Sequence, residues 1–141
     1  MQHEKRIKIV VDTNLWISFL MSLPTERRLK RLLLSEKIVF LFSRTLFDEL
    51  ETIAKRRKFR QYFEASHVDD LLQMLIEIVE IVDVHSAVRI CRDPKDNFLL
   101  ALAKDGSADY LITGDCDLLT LEKLEKTKIV TLSAFERMLS E

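Results

Sequence analysis

Glycine and proline are nearly missing: two of each stand in 141 residues, where average usage would give about ten glycines. That scarcity excludes a P-loop and a dinucleotide fingerprint, because both need several glycines where the backbone closes on phosphate. Chemistry in this chain therefore falls to side chains. Cysteine is equally sparse. Cys91 and Cys116 stand alone without a C-x-x-C pair, so neither a disulfide framework nor a zinc ribbon is implied. No long apolar run exists. The charged N-terminus, Met1 to Lys8, leads into the short segment Ile7–Val11, too brief for a signal peptide or a membrane span. The expectation is a cytoplasmic protein with no membrane contact. Net charge is also small, −1 from 22 Lys/Arg against 23 Asp/Glu.

What remains is an ordinary globular composition, 48% hydrophobic and 32% charged, at a length that predicts a single domain over residues 1–141. Ile7–Val11 is short and β-branched and reads as a buried strand. Leu15–Met21 looks helical up to Pro24, and Glu26 to Glu36 carries Leu29, Leu32 and Leu33 at helical spacing. Ile38–Phe42 is a second strand, followed by a helix from about Thr45 to Arg57. A further helix is expected from Ser66, as N-cap, to Val79, with a third strand over Ile81–Val84. In Asp93-Pro94-Lys95-Asp96-Asn97 to Gly106, Asp93 suits a cap and Pro94 the first turn. Gly106 suits a left-handed residue past the helix end. The apolar run Phe98 to Ala103 predicts burial on all faces. Tyr110–Thr113 reads as a strand, Gly114–Asp117 as a turn and Leu118–Leu121 as a short helix. Ile129–Thr131 reads as the last strand, and Ser133-Ala134-Phe135-Glu136 has capping-box spacing. Strands alternating with helices argue for an α/β fold with a largely parallel sheet. Ligands in such sheets bind beyond the carboxyl ends of the strands.

Acidic residues gather where that rule points. Asp12 follows the first strand, and Asp115 and Asp117 follow Tyr110–Thr113. Asp93 and Asp96 open the buried helix, and Glu49 flanks the apolar set Leu46, Leu50 and Ile53. Each has a plain alternative: Asp12 and Asp93 as caps, Asp96 as a complement to the helix dipole, Glu49 as a solvated acid, Asp115 and Asp117 as turn formers. Together they place four or more acids on one edge, where repulsion is unfavourable without a cation. An all-oxygen set suits Mg²⁺ or Mn²⁺, with Ca²⁺ less suited. His3, His67 and His85 have no spaced partners, which disfavours zinc. Hard cations held by carboxylates serve phosphate chemistry, where they offset phosphoryl charge and activate water.

The series Val11-Asp12-Thr13-Asn14, Glu49, Asp93-Pro94-Lys95-Asp96-Asn97 and Thr113-Gly114-Asp115-Cys116-Asp117 resembles the PIN-domain ribonucleases, in particular the VapC-like toxins of prokaryotic toxin–antitoxin systems. The resemblance runs from about Ile7 to Leu139, and the D-P-x-D-N…A-D-Y-L-I-T-G-D-x-D stretch is its specific part. It implies a three-layer α/β/α fold with a central, mainly parallel sheet. It also implies that Asp12, Glu49, Asp96 and Asp115 form an acidic quartet, catalytic and metal-holding, with Asp117 as an extra ligand. Thr13, Asn14 and Thr113 match supporting polar positions. The implied activity is Mg²⁺- or Mn²⁺-dependent endonucleolytic cleavage of RNA; the implied partners are an antitoxin and a second copy in a homodimer. Lys95 and Asn97 flank Asp96 where relatives often carry another acid, which leaves one or two metals open.

Two basic runs are candidates for binding the substrate: Arg27, Arg28, Lys30 and Arg31, and then Lys55, Arg56, Arg57, Lys58 and Arg60. The second begins less than two helical turns after Glu49, with Phe59 and Tyr62 interleaved for stacking. Solvated helix ends are the alternative. Among rival readings, a haloacid-dehalogenase-type phosphatase needs an acid where Asn14 stands, and a receiver domain needs paired acids after the first strand. A non-catalytic PIN scaffold conflicts with the complete quartet. Setting aside the five proposed site acids leaves 18 acidic against 22 basic residues, an anionic pit in a mildly cationic surface.

Overall fold

The β-branched run Ile7-Lys8-Ile9-Val10-Val11 forms the central strand of a six-stranded sheet. The computed structural model describes residues 5–89 and 94–141. In chain order the elements are β1 (Ile7–Val11), α1 (Thr13–Met21), α2 (Leu23–Leu33), β2 (Ile38–Phe42), α3 (Arg44–Ala54), α4 (Ala65–Ile78) and β3 (Glu80–Ile81). Then come α5 (Asn97–Asp105), β4 (Tyr110–Ile112), α6 (Cys116–Leu121), β5 (Lys123–Leu124), β6 (Thr127–Val130) and α7 (Leu132–Leu139). Short 3₁₀ turns occupy Arg57–Phe59 and Pro94–Asp96.

The sheet order is β3-β2-β1-β4-β6-β5, and every neighbouring pair is parallel except β5 on β6. From β1 the chain steps outward through β2 to β3, then returns to the other side of β1 for β4. The order therefore reverses between β1 and β4, the position where parallel α/β sheets open a crevice at their carboxyl edge. Helices flank the sheet, as its apolar strands require: Ile9, Val10, Leu111 and Ile112 are wholly buried. Trp16 of α1 sets its ring 5.7 Å from both Phe40 and Phe42 of β2. Helix α5 is buried as its sequence predicts, through Leu99, Leu100, Ala101, Leu102 and Ala103. Helix α2 is tied to α7 by Arg28, whose guanidinium donates to Glu136 and Ser133.

Several local expectations are corrected. Helix α4 starts at Ala65 after Glu64, whose N–H donates to His67 Nδ1 at 3.2 Å; Ser66 lies inside the first turn. Strand β3 ends at Ile81 because Val82, after one hydrogen bond to Phe42 O at 2.8 Å, leaves the sheet. Gly106 has φ −84°, and the left-handed residue is Ser107 at φ 53°. Gly106 answers a need for space instead: a Cβ there would lie 2.7 Å from Leu41 Cδ1. The last helix is capped by Thr131, which accepts the Ala134 N–H at 3.1 Å, and Glu136 turns to Arg28. The antiparallel β5–β6 hairpin has no counterpart in the sequence reading. The expected Asp93 cap lies outside the described residues.

Candidate functional site

Strands β1, β2 and β6 each pass through one small polar residue into a helix, and β4 does so through Thr113-Gly114-Asp115. Asp12 caps α1, accepting the Asn14 N–H at 3.3 Å. Ser43 caps α3 through the Leu46 N–H at 3.1 Å, and Asp115 caps α6. Helix starts need such acceptors. What is unusual is their burial. Among the described residues the buried polar ones are Asp12, Thr13, Ser43, Thr113 and Thr127, and four of these five follow the carboxyl ends of β1, β2 or β4. A core avoids polar groups unless they are satisfied or used, so this edge is where function is expected.

The register of β1 on β4 pairs Val11 with Ile112, which sets Asp12 beside Thr113. The Thr113 hydroxyl donates to Asp12 Oδ2 at 2.6 Å and accepts the Asp115 N–H at 3.0 Å. One hydroxyl thus fixes two acids from different strands. Asp115 Oδ1 accepts the N–H groups of Asp117 at 2.7 Å and Leu118 at 3.4 Å; its Oδ2 has no hydrogen bond among the described residues. Asp12 is only 4% exposed. Burial pushes its carboxyl above the usual carboxylate range, with the Asp115 charge adding to the rise, while the bonds from Thr113 and Asn14 oppose it. Beside it, the buried Thr13 Oγ1 has no hydrogen-bond partner among the described residues.

Asp12, Thr13, Asn14, Thr113, Asp115 and Asp117 are therefore brought together around the β1–β4 junction. Asp96 closes the 3₁₀ turn before α5 with one carboxyl oxygen buried. The next residue, Asn97, shares a cavity of about 250 Å³ with Ser43 and Thr45, which brings the start of α5 alongside the end of β2. Glu49 is half-buried on α3 and makes no hydrogen bond or ion pair among the described residues. Among the described residues no three His, Cys, Asp or Glu side chains are drawn close enough to hold a metal between them. The assembled unit is the Asp12–Asp115 pair. A buried carboxylate with a raised pKa, a second carboxylate coupled to it, an orphan hydroxyl and only oxygen donors fit a hard divalent cation.

The basic runs divide. Lys30 pairs with Glu26 at 2.6 Å, Arg28 with Glu136, and Lys55 with Asp69 at 2.7 Å and Glu51 at 3.3 Å. Arg28 and Lys55 thereby tie neighbouring helices, through Glu136 and Asp69, while Lys30 pairs within α2. Arg56, Arg57 and Lys58 are exposed, Lys58 Nζ lies 5.0 Å from the Phe59 ring centre, and Tyr62 is 56% exposed. This run begins about 18 Å along α3 from Ser43. Ser43 was not singled out in the sequence; its position directly after an apolar strand, three residues before Leu46, is the signal that marks it.

The PIN domain profile matches residues 8–117, and the chain belongs to the PIN domain family, whose members are generally nucleases. An uncharacterized protein of Methanocaldococcus jannaschii, MJ1680, is 30% identical over 125 residues, covering 86% of this chain and 79% of that protein. Among solved structures, the PIN domain of human SMG5 superposes with a TM-score of 0.52 at 12% identity, covering 94% of this chain and 98% of that one. That likeness carries the fold, an α/β arrangement with a central, mostly parallel sheet. Among the described residues, no helix is long and apolar enough to cross a membrane.

Proposed function

We propose that this chain is a Mg²⁺- or Mn²⁺-dependent endoribonuclease, the cytoplasmic toxin of a toxin–antitoxin pair, working as a single-domain homodimer with an antitoxin partner. The observation that carries the nuclease reading is the Thr113 hydroxyl joining buried Asp12 to Asp115 at the β1–β4 crossing point. Asp12 and Asp115 would hold the cation, with Asp96 and Asp117 completing its carboxylates. A divalent ion there supplies positive charge to the phosphoryl oxygens and acidifies water. Thr113 keeps Asp12 oriented, and the α6 backbone N–H groups hold Asp115 through Oδ1, so its other carboxyl oxygen would be available to a cation. Glu49, on the flank of α3, is assigned to positioning the attacking water and taking its proton. Thr13 and Asn14 frame the edge. Arg56, Arg57 and Lys58, exposed beside Tyr62, are assigned to the RNA backbone, whereas Lys55 serves the α3–α4 contact. Exposed Ile76, Ile78 and Ile81 give the subunit and antitoxin reading its apolar surface.

The test is cleavage of a mixed tRNA and rRNA pool with Mg²⁺ or Mn²⁺, with and without chelator, for the wild type, Asp12→Asn and Asp115→Asn. Metal-dependent cleavage lost in both variants is expected. Cleavage that survives both substitutions rejects the site. Turnover of a small phosphoester without RNA cleavage marks a phosphatase, and metal-independent RNA binding without cleavage marks a scaffold.

A further inference from the structure

The amino edge of the sheet, opposite the carboxylates, carries a concentration of cations that the reading above does not use. Arg6 leads into β1, Lys126 sits in the β5–β6 turn and Lys128 lies on β6. With Lys5, Tyr110 and Asp109 they line a cavity of about 310 Å³, within the range of small-ligand sites. The strand register brings Tyr110 and Lys128 together. Ile9 pairs with Tyr110 and Tyr110 with Lys128, so these positions share one face of the sheet, and Ile7 lies on it too. Tyr110 is fixed as a wall by an edge-on contact with Phe135 at 5.2 Å and by its hydroxyl on Met138 Sδ.

The charges in this cavity do not balance. Asp109 is the one carboxylate in the lining, and it is already committed: Oδ2 accepts the Lys8 N–H at 2.9 Å and Oδ1 faces Lys126 Nζ at 3.4 Å. Lys5, Arg6 and Lys128 have no ion pair among the described residues. A separate observation points the same way. The antiparallel register sets Lys123 directly opposite Lys128, and like charges facing each other across a ladder are unfavourable unless an anion lies between or beside them. Five residues of β1 separate this edge from Asp12, about 16 Å of strand, so the two regions are distinct.

We propose that this cavity is a phosphate-binding site, taking the phosphate of a mononucleotide or of an RNA chain, separate from the Asp12–Asp115 pair. The Arg6 guanidinium supplies a fork for two phosphate oxygens, Lys126 and Lys128 supply point charges, and the Tyr110 wall limits the depth of entry. The site rests on cation placement and cavity shape alone and does not depend on cleavage.

The experiment is calorimetric or NMR titration of the full chain in EDTA with inorganic phosphate, AMP and a short single-stranded oligoribonucleotide. Arg6→Glu and Lys128→Glu are the test variants and Lys104→Glu the exposed control on α5; all three positions are exposed. Binding by the wild type that falls at least tenfold in both test variants and holds in the control supports the site. The salt dependence of oligonucleotide binding should flatten by about one ion per removed cation. Competent AMP with no added gain from the oligonucleotide identifies a free nucleotide as the source; oligonucleotide binding alone identifies the RNA chain. Absence of binding by all three probes, or an equal loss in the control, overturns the proposal.

Discussion

Asp12→Asn separates the two demands placed on the carboxyl edge. Asn caps a helix as well as Asp does, so the bond from the Asn14 N–H survives the exchange. Asp12 uses one carboxyl oxygen for the Asn14 N–H and the other for the Thr113 hydroxyl, and the amide keeps one acceptor, so the Thr113 hydroxyl meets an NH₂ donor instead. What disappears is a buried negative charge beside Asp115. The raised pKa of Asp12 decides the sign: burial and the neighbouring charge together outweigh the hydrogen bonds that favour the carboxylate. Removing the charge therefore stabilises the metal-free fold. Replacing buried charges by neutral groups yields about 1–4 kcal/mol. The acceptor lost at Thr113 costs about 0.5–1.5 kcal/mol and offsets part of this gain, so the net rise in Tm should be small. A divalent ion reverses the order. An ion present at a hundred times its Kd adds about 2.7 kcal/mol to any fold that binds it, and the wild type alone holds the paired carboxylates.

The assay is thermal unfolding of both proteins in EDTA and over a Mn²⁺ series, with Asp12→Ala as the control that also loses the cap, at a cost of about 1 kcal/mol. The expected pattern is a higher Tm for Asp12→Asn in EDTA and a Mn²⁺-dependent rise confined to the wild type. A lower Tm for Asp12→Asn in EDTA would show that the charge itself holds the junction. Equal Mn²⁺ shifts in both proteins would place the ion elsewhere. Either result refutes the reasoning without reference to RNA.

Thr113→Val removes the hydroxyl that serves both Asp12 and Asp115. The loss should be about 1–3 kcal/mol in denaturant unfolding, because buried partners are left unmet, with activity falling further than stability; an unaffected fold would mean that the two acids are held by other groups. Asp105 accepts the N–H groups of His85 and Ser86 at 2.6 and 2.8 Å and the Ser86 hydroxyl. These bonds hold its carboxyl down at about 2, the Ser86 hydroxyl first among them. Its stabilising contribution is therefore complete above about pH 4 and is lost as pH falls through about 2, so Asp105→Asn should flatten the urea midpoint over that window; a parallel pH profile would count against it. Gly106→Ala drives a Cβ to 2.7 Å from Leu41 Cδ1 and 3.2 Å from Val82 Cγ2 and should cost about 1–3 kcal/mol by overpacking. Gly114→Ala meets nothing within 4 Å and should be neutral or gain about 0.4–1 kcal/mol from the unfolded chain. Equal effects at the two glycines would contradict the packing argument.

The elements legible in the sequence are those where one physical cause dominates. Ile38–Phe42 is apolar on both faces because both faces are covered, and its bounds are read correctly to the residue. Helix α5 is legible for the same reason, as is the emergence of Asp12 and Asp115 on one edge once β1 and β4 are taken as parallel. Boundaries fail where two side chains offer the same service. Ser66 and Glu64 can both accept an N–H, and so can Ser133 and Thr131; the choice went to the residue that let the preceding strand or turn end where packing demanded. Glycine at 106 failed differently. Its position after a helix suggests backbone freedom, but the constraint is the Leu41 side chain from a strand 65 residues earlier, which no local pattern contains.

The carboxyl edge itself combines both situations. The pairing of Asp12 with Asp115 follows from strand direction and from T-G-D spacing, so the sequence carries it. The positions of Glu49 and Asp96 relative to that pair depend on how α3 and the Pro94–Asp96 turn pack against the sheet, which no local pattern contains. Four acids around a cation belong to the proposed function, while helix caps and hydroxyl bonds belong to the fold alone. Thr113 belongs to both, since its single hydroxyl satisfies a backbone N–H and a buried carboxylate together. That is why its removal, more than that of any one acid, distinguishes an edge built to receive a cation from one in which the acids merely cap helices.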